Sequence, residues 1–170
     1  MTTEPVLKPY QEKIIALMIR QENLLAALYQ CFAERFPEYK EFWNHLAIDE
    51  KKHAGWLEQL QAAAQKKVVL FNEGRVKTYT LETLVQGVEE KLSRAEAGGF
   101  DLHQALACTV DLERALLEKN AFSHFEAITS KASSVMKFLA QETKDHQELA
   151  QKLQNEIPHA QASPPQSPST

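Results

Sequence analysis

Glycine, cysteine and long apolar runs are scarce in this chain: five glycines and two cysteines occur among 170 residues. Runs of β-branched and aromatic residues bounded by turn signals are almost missing too, and Val68-Val69-Leu70-Phe71 is the one short candidate strand. Sheet-based architectures are therefore excluded. Cys31 and Cys108 lie far apart and form no CxxC, so they read as small core residues in a reducing cytosol rather than as ligands or a disulfide. No apolar run approaches the ~20 residues needed to span a bilayer. The segment MTTEPVLKPYQEK has no signal-peptide core. There is no basic excess either. A net charge of −4 argues against nucleic acid or an anionic membrane as partner, and Lys51-Lys52 and Lys66-Lys67 read as solvated pairs.

What is abundant is Ala, Leu, Glu, Lys and Gln, the strong helix formers. With 44% hydrophobic and 25% charged residues the chain has the composition of one globular, all-α domain. Pro9 opens a first helix that runs to about Phe36. Pro37 breaks it and starts a second, reaching about Lys66. Residues 67–79 read as a connection, followed by a shorter helix from Thr80 through Ala97 that Gly98-Gly99 ends. Asp101 and Gln104 resemble a capping box for the third long helix, which extends to about Phe125. The fourth begins near Thr129-Ser130 and ends before Pro158. Two helical hairpins, 9–66 and 101–157, joined by one long crossover, describe a four-helix bundle over residues 1–157. The Pro/Ser-rich stretch 158–170 reads as a disordered tail.

Tracing each long helix at alternating spacings of three and four gives its core-facing seam. The first reads Ile15, Met18, Glu22, Leu25, Tyr29, Phe32, Phe36; the second Leu46, Glu50, His53, Leu57, Leu60. The third reads Leu102, Leu106, Thr109, Glu113, Leu116, Asn120; the fourth Val135, Leu139, Glu142, His146, Leu149, Leu153. Each seam carries one glutamate, and the second and fourth add a histidine. A buried carboxylate costs several kcal/mol unless it is neutralised, paired or bound to metal. Four of them with no buried Lys or Arg nearby point to divalent cations. The separations agree: Glu22 and Glu50 are 28 positions apart, Glu113 and Glu142 are 29, so in both hairpins the acids return to one height. LAIDEKKHAGWLEQL (46–60) and LAQETKDHQELAQKL (139–153) form a pseudo-repeat. His45, His103, His124 and His159 fall off the seams, and Trp43 and Trp56 read as packing residues.

Glu50-Lys51-Lys52-His53 is an ExxH, and FWNHLAIDEKKHAGWLEQL resembles the rubrerythrin branch of the ferritin-like superfamily over roughly residues 9–157. That resemblance implies a non-haem di-iron carboxylate protein holding two Fe ions, with Mn the other candidate. It implies Glu22, Glu50, His53, Glu113 and His146 as ligands, with Glu50 and a partner on the fourth helix bridging the metals. The seam adds Glu142 to that set. The implied chemistry is oxidation of Fe(II) by peroxide or dioxygen, in a peroxidase or iron-handling role. No rubredoxin-like CxxC pairs are present, so a separate electron donor is expected. A homodimer is compatible with the family.

The chain departs from the pattern at one place. A gap-free alignment of the pseudo-repeat sets Thr143, not a glutamate, opposite Glu50. Glu142 shares a helix face with His146, and a one-residue π-bulge would restore the register. The contrasting expectation is a structural or interaction bundle with a degenerate metal site.

Overall fold

Helix boundaries in this protein follow from a few local devices. In the computed structural model, which describes residues 7–66, 69–71, 78–119, 125–127 and 130–157, helix α1 spans Pro9–Arg35. Pro9 occupies its first turn, where a missing N–H costs nothing, and the Lys8 N–H donates to Gln11 Oε1 at 2.9 Å. Pro37 stops α1 and forms a short 3₁₀ turn, Pro37–Tyr39, from which α2 (Lys40–Gln65) departs antiparallel. Helix α3 (Thr78–Glu96) ends where Gly98 takes φ +73°, a left-handed conformation open to glycine without a Cβ penalty. The expected capping box then starts α4 (Leu102–Lys119): the Gln104 N–H donates to Asp101 Oδ1 at 2.8 Å, and the Asp101 N–H to Gln104 Oε1 at 3.2 Å. Helix α5 covers Ser130–Glu156.

Two boundaries differ from expectation. The crossover helix starts at Thr78, not Thr80. The third long helix is described over Leu102–Lys119 and does not include Phe125, since Phe125–Ala127 (β2) pairs antiparallel with Val69–Phe71 (β1), in the register Val69↔Ala127, Leu70↔Glu126, Phe71↔Phe125. This small ladder joins the crossover to the α4–α5 connection. The expected tail 158–170, along with Asn120, His124, Thr129 and His159, lies outside the described residues.

The architecture is a ferritin-like all-α bundle. α1 packs against α2 and α3, and α4 against α5. Surface ion pairs Lys13–Glu82 and Arg20–Glu89 accompany the α1–α3 contact. The core divides into two apolar clusters. One gathers Ile15, Met18, Leu57, Leu60, Leu81 and Leu139; the other gathers Leu25, Leu28, Tyr29, Phe32, Trp43, Leu46 and Leu106. Each fully buried Leu or Phe contributes about 1.5–3 kcal/mol. Along α1 the first cluster ends at Met18 and the second begins at Leu25. The layer between them is polar, and Glu22 lies in it. Among the described residues no helix is long and apolar enough to cross a membrane.

Candidate metal centre

The polar layer assembles most of the residues singled out in the sequence. Glu22 from α1, Glu50 and His53 from α2, Glu113 from α4 and His146 from α5 are each at most 3% exposed. Their donor atoms form two groups: Glu22, Glu50 and His53 in one, and Glu50, Glu113 and His146 in the other, with all donor atoms of a group within 4.8 Å of one another. Glu50 belongs to both. Its Oε2 lies 3.0 Å from His53 Nδ1 and its Oε1 3.0 Å from His146 Nδ1. Glu22 Oε2 is 3.8 Å from His53 Nδ1, and Glu113 Oε1 4.0 Å from His146 Nδ1. The two imidazoles stack with ring centres 5.6 Å apart.

The outward ring nitrogens are held crosswise. His53 Nε2 meets Glu142 Oε2 at 2.9 Å, and His146 Nε2 meets Asp49 Oδ2 at 3.3 Å. Asp49 is further tied to Lys52 (2.6 Å) and to exposed His45 (3.2 Å). Asp49 escaped the seam analysis because it lies about 100° around the helix from Glu50. The signal that finds it is the pseudo-repeat: aligned without gaps, Asp49 matches Glu142, and each acid grips the histidine of the other repeat.

The seams of α1 and α2 are buried as traced, apart from half-buried Phe36. That of α5 is not. Its buried line runs Leu139, Thr143, His146, Ala150, while Glu142 is half-buried and Leu149 is 42% exposed. Both lines fit a 3.6-residue period, so the pattern alone left two rotations open. The structure adopts the one that puts small Thr143 and Ala150 inward. α5 is continuous α-helix, with no π-bulge to restore a glutamate. Glu142 accordingly stands behind His53, on its outer nitrogen, rather than in either inner group. Thr143 Oγ1 donates to the Leu139 carbonyl at 3.1 Å and is satisfied within its own helix.

Electrostatics separate the acids by position. Burial favours neutral carboxyls throughout, yet hydrogen bonds from His146 and His53 hold Glu50 well below the usual carboxylate range. Burial and the Glu50 charge push Glu22 well up, and the same pair raises Glu113 to about 8 against opposing His146. Burial pulls both imidazoles down, but Glu22 and Glu50 outweigh it for His53, raised to about 11, and Glu50 and Glu113 for His146, raised to about 9. Despite its burial, Asp49 is held low by Lys52 and His146. In the metal-free layer the anions Asp49 and Glu50 therefore face two imidazolium cations, Glu113 is protonated at neutral pH, and burial and the Glu50 charge shift Glu22 in the same direction as Glu113.

Two buried oxygens, Glu22 Oε2 and Glu113 Oε2, have no hydrogen-bond partner among the described residues. Unsatisfied buried carboxylate oxygens are expensive. Here they sit on opposite sides of the shared Glu50, one in each donor group. Three carboxylates and two imidazoles are an oxygen-rich set suited to Fe or Mn, so the residues present fit a pair of such ions.

Fold and site together define a ferritin-like carboxylate bundle with a cluster that could bind metal. The rubrerythrin family model matches residues 13–154, and the chain belongs to the rubrerythrin family. Comparisons with curated proteins and with solved structures gave no significant match.

Proposed function

We propose that this protein is a non-haem metalloprotein of the cytosol in which Glu22, Glu50, His53, Glu113 and His146 hold two Fe or Mn ions, and that it oxidises bound Fe(II) with peroxide or dioxygen. The observation that carries this reading is the pair of unpartnered buried oxygens flanking Glu50. Charge supports it. If Glu22 and Glu113 lose their protons and both imidazoles become neutral, the inner acids Glu22, Glu50 and Glu113 leave the layer with an excess of negative charge, to which Asp49 and Glu142 add from behind the imidazoles, and two divalent cations offset it.

The bound ions would supply the redox couple that reduces the oxidant. The protein's own residues do the rest. Glu50 presents one oxygen to each half of the site. Glu142 and Asp49 hold the outer nitrogens of His53 and His146, so that both Nδ1 atoms face inward. Tyr29 donates to Glu113 Oε1 at 2.7 Å and orients that carboxylate. The flanking clusters of Met18, Leu57, Leu25 and Leu46 exclude water. A separate electron donor would return the site to its reduced state, and a homodimer is compatible with this reading.

Thr143 favours a second reading, a bundle that has kept the fold while its metal site degenerated. Comparing two variants distinguishes them. Under the leading reading Glu50→Ala abolishes Fe(II) or Mn(II) binding and Thr143→Ala changes it little. Equal loss in both, or unchanged binding in Glu50→Ala, contradicts it.

A further inference from the structure

Three rings stand in a column that leads from the buried layer towards solvent. His146 and His53 stack with centres 5.6 Å apart and planes tilted by 25°, and Trp56, one turn beyond His53 on α2, continues the column at 5.8 Å and 33°. Phe138 of α5 meets the Trp56 ring edge-on at 5.1 Å and is 50% exposed. Trp56 itself is half-buried. Each step falls within about 4.5–7 Å, the ordinary range of aromatic pairs. A buried imidazole, a half-buried indole and an exposed phenyl are thus in successive contact. The aromatics beside Glu113 differ: Tyr29 and Trp43 are fully buried and offer no ring to solvent.

We propose that Trp56 is the electron port of the metal centre: a reduced one-electron carrier protein meets this chain at Phe138 and Trp56, and its electron tunnels through Trp56 and His53 to the ions. This rests on the metal-centre reading above, in which His53 is a ligand. Tunnelling weakens steeply with distance through space and less so through touching rings and bonds. A carrier keeps its redox group within its own fold, so it needs such a route to a layer that it cannot enter. Each transfer oxidises the carrier by one electron and reduces one Fe(III) to Fe(II). Two transfers restore the two electrons that one peroxide removes. Trp56 is neither oxidised nor reduced in net terms, no bond to it forms or breaks, and its N–H keeps its proton. Because His53 stacks on His146, the same port serves both halves of the site.

The test oxidises the Fe(II)-loaded full-length protein with peroxide, removes the excess and mixes it anaerobically with the methyl viologen radical cation, a planar one-electron reductant. Stopped-flow absorbance follows reduction of the ferric pair. Trp56→Leu should slow it several-fold, with the number of ions bound and the midpoint potential of the site unchanged. Trp56→Phe keeps a ring in the column and should restore most of the rate. Leu149→Ala, which removes another exposed apolar side chain of α5, should leave the rate as it is. A second readout needs no turnover. In Trp43→Phe the one remaining tryptophan is Trp56. Its excited indole can pass an electron along the same contact, so Fe(III) in the site should shorten its fluorescence lifetime several-fold, and redox-inert Zn(II) should not. An undiminished rate in metal-replete Trp56→Leu overturns the proposal and leaves the metal-centre reading standing. So does a Trp56 lifetime that is equal in the Fe(III) and Zn(II) forms, which decides the question where Trp56→Leu folds poorly. Failure of the unaltered protein to bind iron overturns both readings.

Discussion

Metal binding should expel protons from the buried layer, and the structure sets how many. In the metal-free protein at pH 7, Glu113 carries a proton because burial and Glu50 raise it, and His53 and His146 carry protons because the carboxylates outweigh their burial; Glu22 is raised by the same causes as Glu113. Two divalent cations replace these three protons and whatever proton Glu22 holds. Anaerobic titration calorimetry with Mn(II), in buffers of different ionisation enthalpy, reads the number directly. The expected value is at least three per chain at pH 6–7, falling as pH approaches 9, where Glu113 (about 8) has lost its proton and His146 (about 9) is half titrated. A release of one proton or fewer, or a release that grows with pH, refutes the charge assignment. The same assignment fixes the sign of the stability profile. Glu113 and both histidines have folded-state values above their unfolded ones, 4.5 and 6.5, so the folded state binds more protons. Their contribution is complete below those unfolded values and is lost as pH rises through about 8, 9 and 11 in turn. Each such proton makes stability fall by about 1.4 kcal/mol per pH unit. Glu50, held low, acts oppositely and loses its contribution on acidification. Denaturant midpoints of the metal-free protein should drop from pH 7 to pH 9, and bound metal should flatten that slope.

Three further outcomes follow. Thr143→Glu restores a carboxylate opposite Glu50 and should tighten metal binding at the α5 side. Unchanged affinity would mean that position 143 does not reach the ions. Glu142→Ala should weaken metal affinity about 10–100-fold, as loss of an outer carboxylate does, while leaving the number of ions bound unchanged; loss of one ion per chain would make Glu142 a direct ligand instead. Leu25→Ala, in the cluster beside the polar layer, should cost about 2–5 kcal/mol in chemical denaturation, and a negligible change would mean the layer is not sealed from that side.

The seams of α1 and α2 were legible because one apolar stripe dominates each helix and the polar interruptions, Glu22 and Glu50/His53, fall on it. The pairing of Asp101 with Gln104 was legible because capping is local. α5 was harder. It offers Leu149 on one face and Ala150 on the next, and hydrophobicity prefers the leucine. Close packing chose the smaller residue, which left Leu149 in a surface groove with Phe42 and Leu153. That choice depends on the neighbouring helices, so no single-helix pattern contains it. Only half of the β1–β2 ladder was legible: Val69-Leu70-Phe71 lies in the one candidate strand, whereas Phe125-Glu126-Ala127 has no strand signature of its own and is recruited by the chain at 69–71. Asp49 and Glu142 were each visible as acids, but their crosswise roles required two repeats to be seen face to face.

The account turns on whether the buried layer holds metal. Anaerobic Fe(II) titration of chelator-stripped protein, followed by elemental analysis after desalting, measures this most directly. Two ions per chain is the expected stoichiometry for a paired carboxylate site. No retained Fe(II) or Mn(II) would contradict it and leave a bundle whose glutamates and histidines serve only one another.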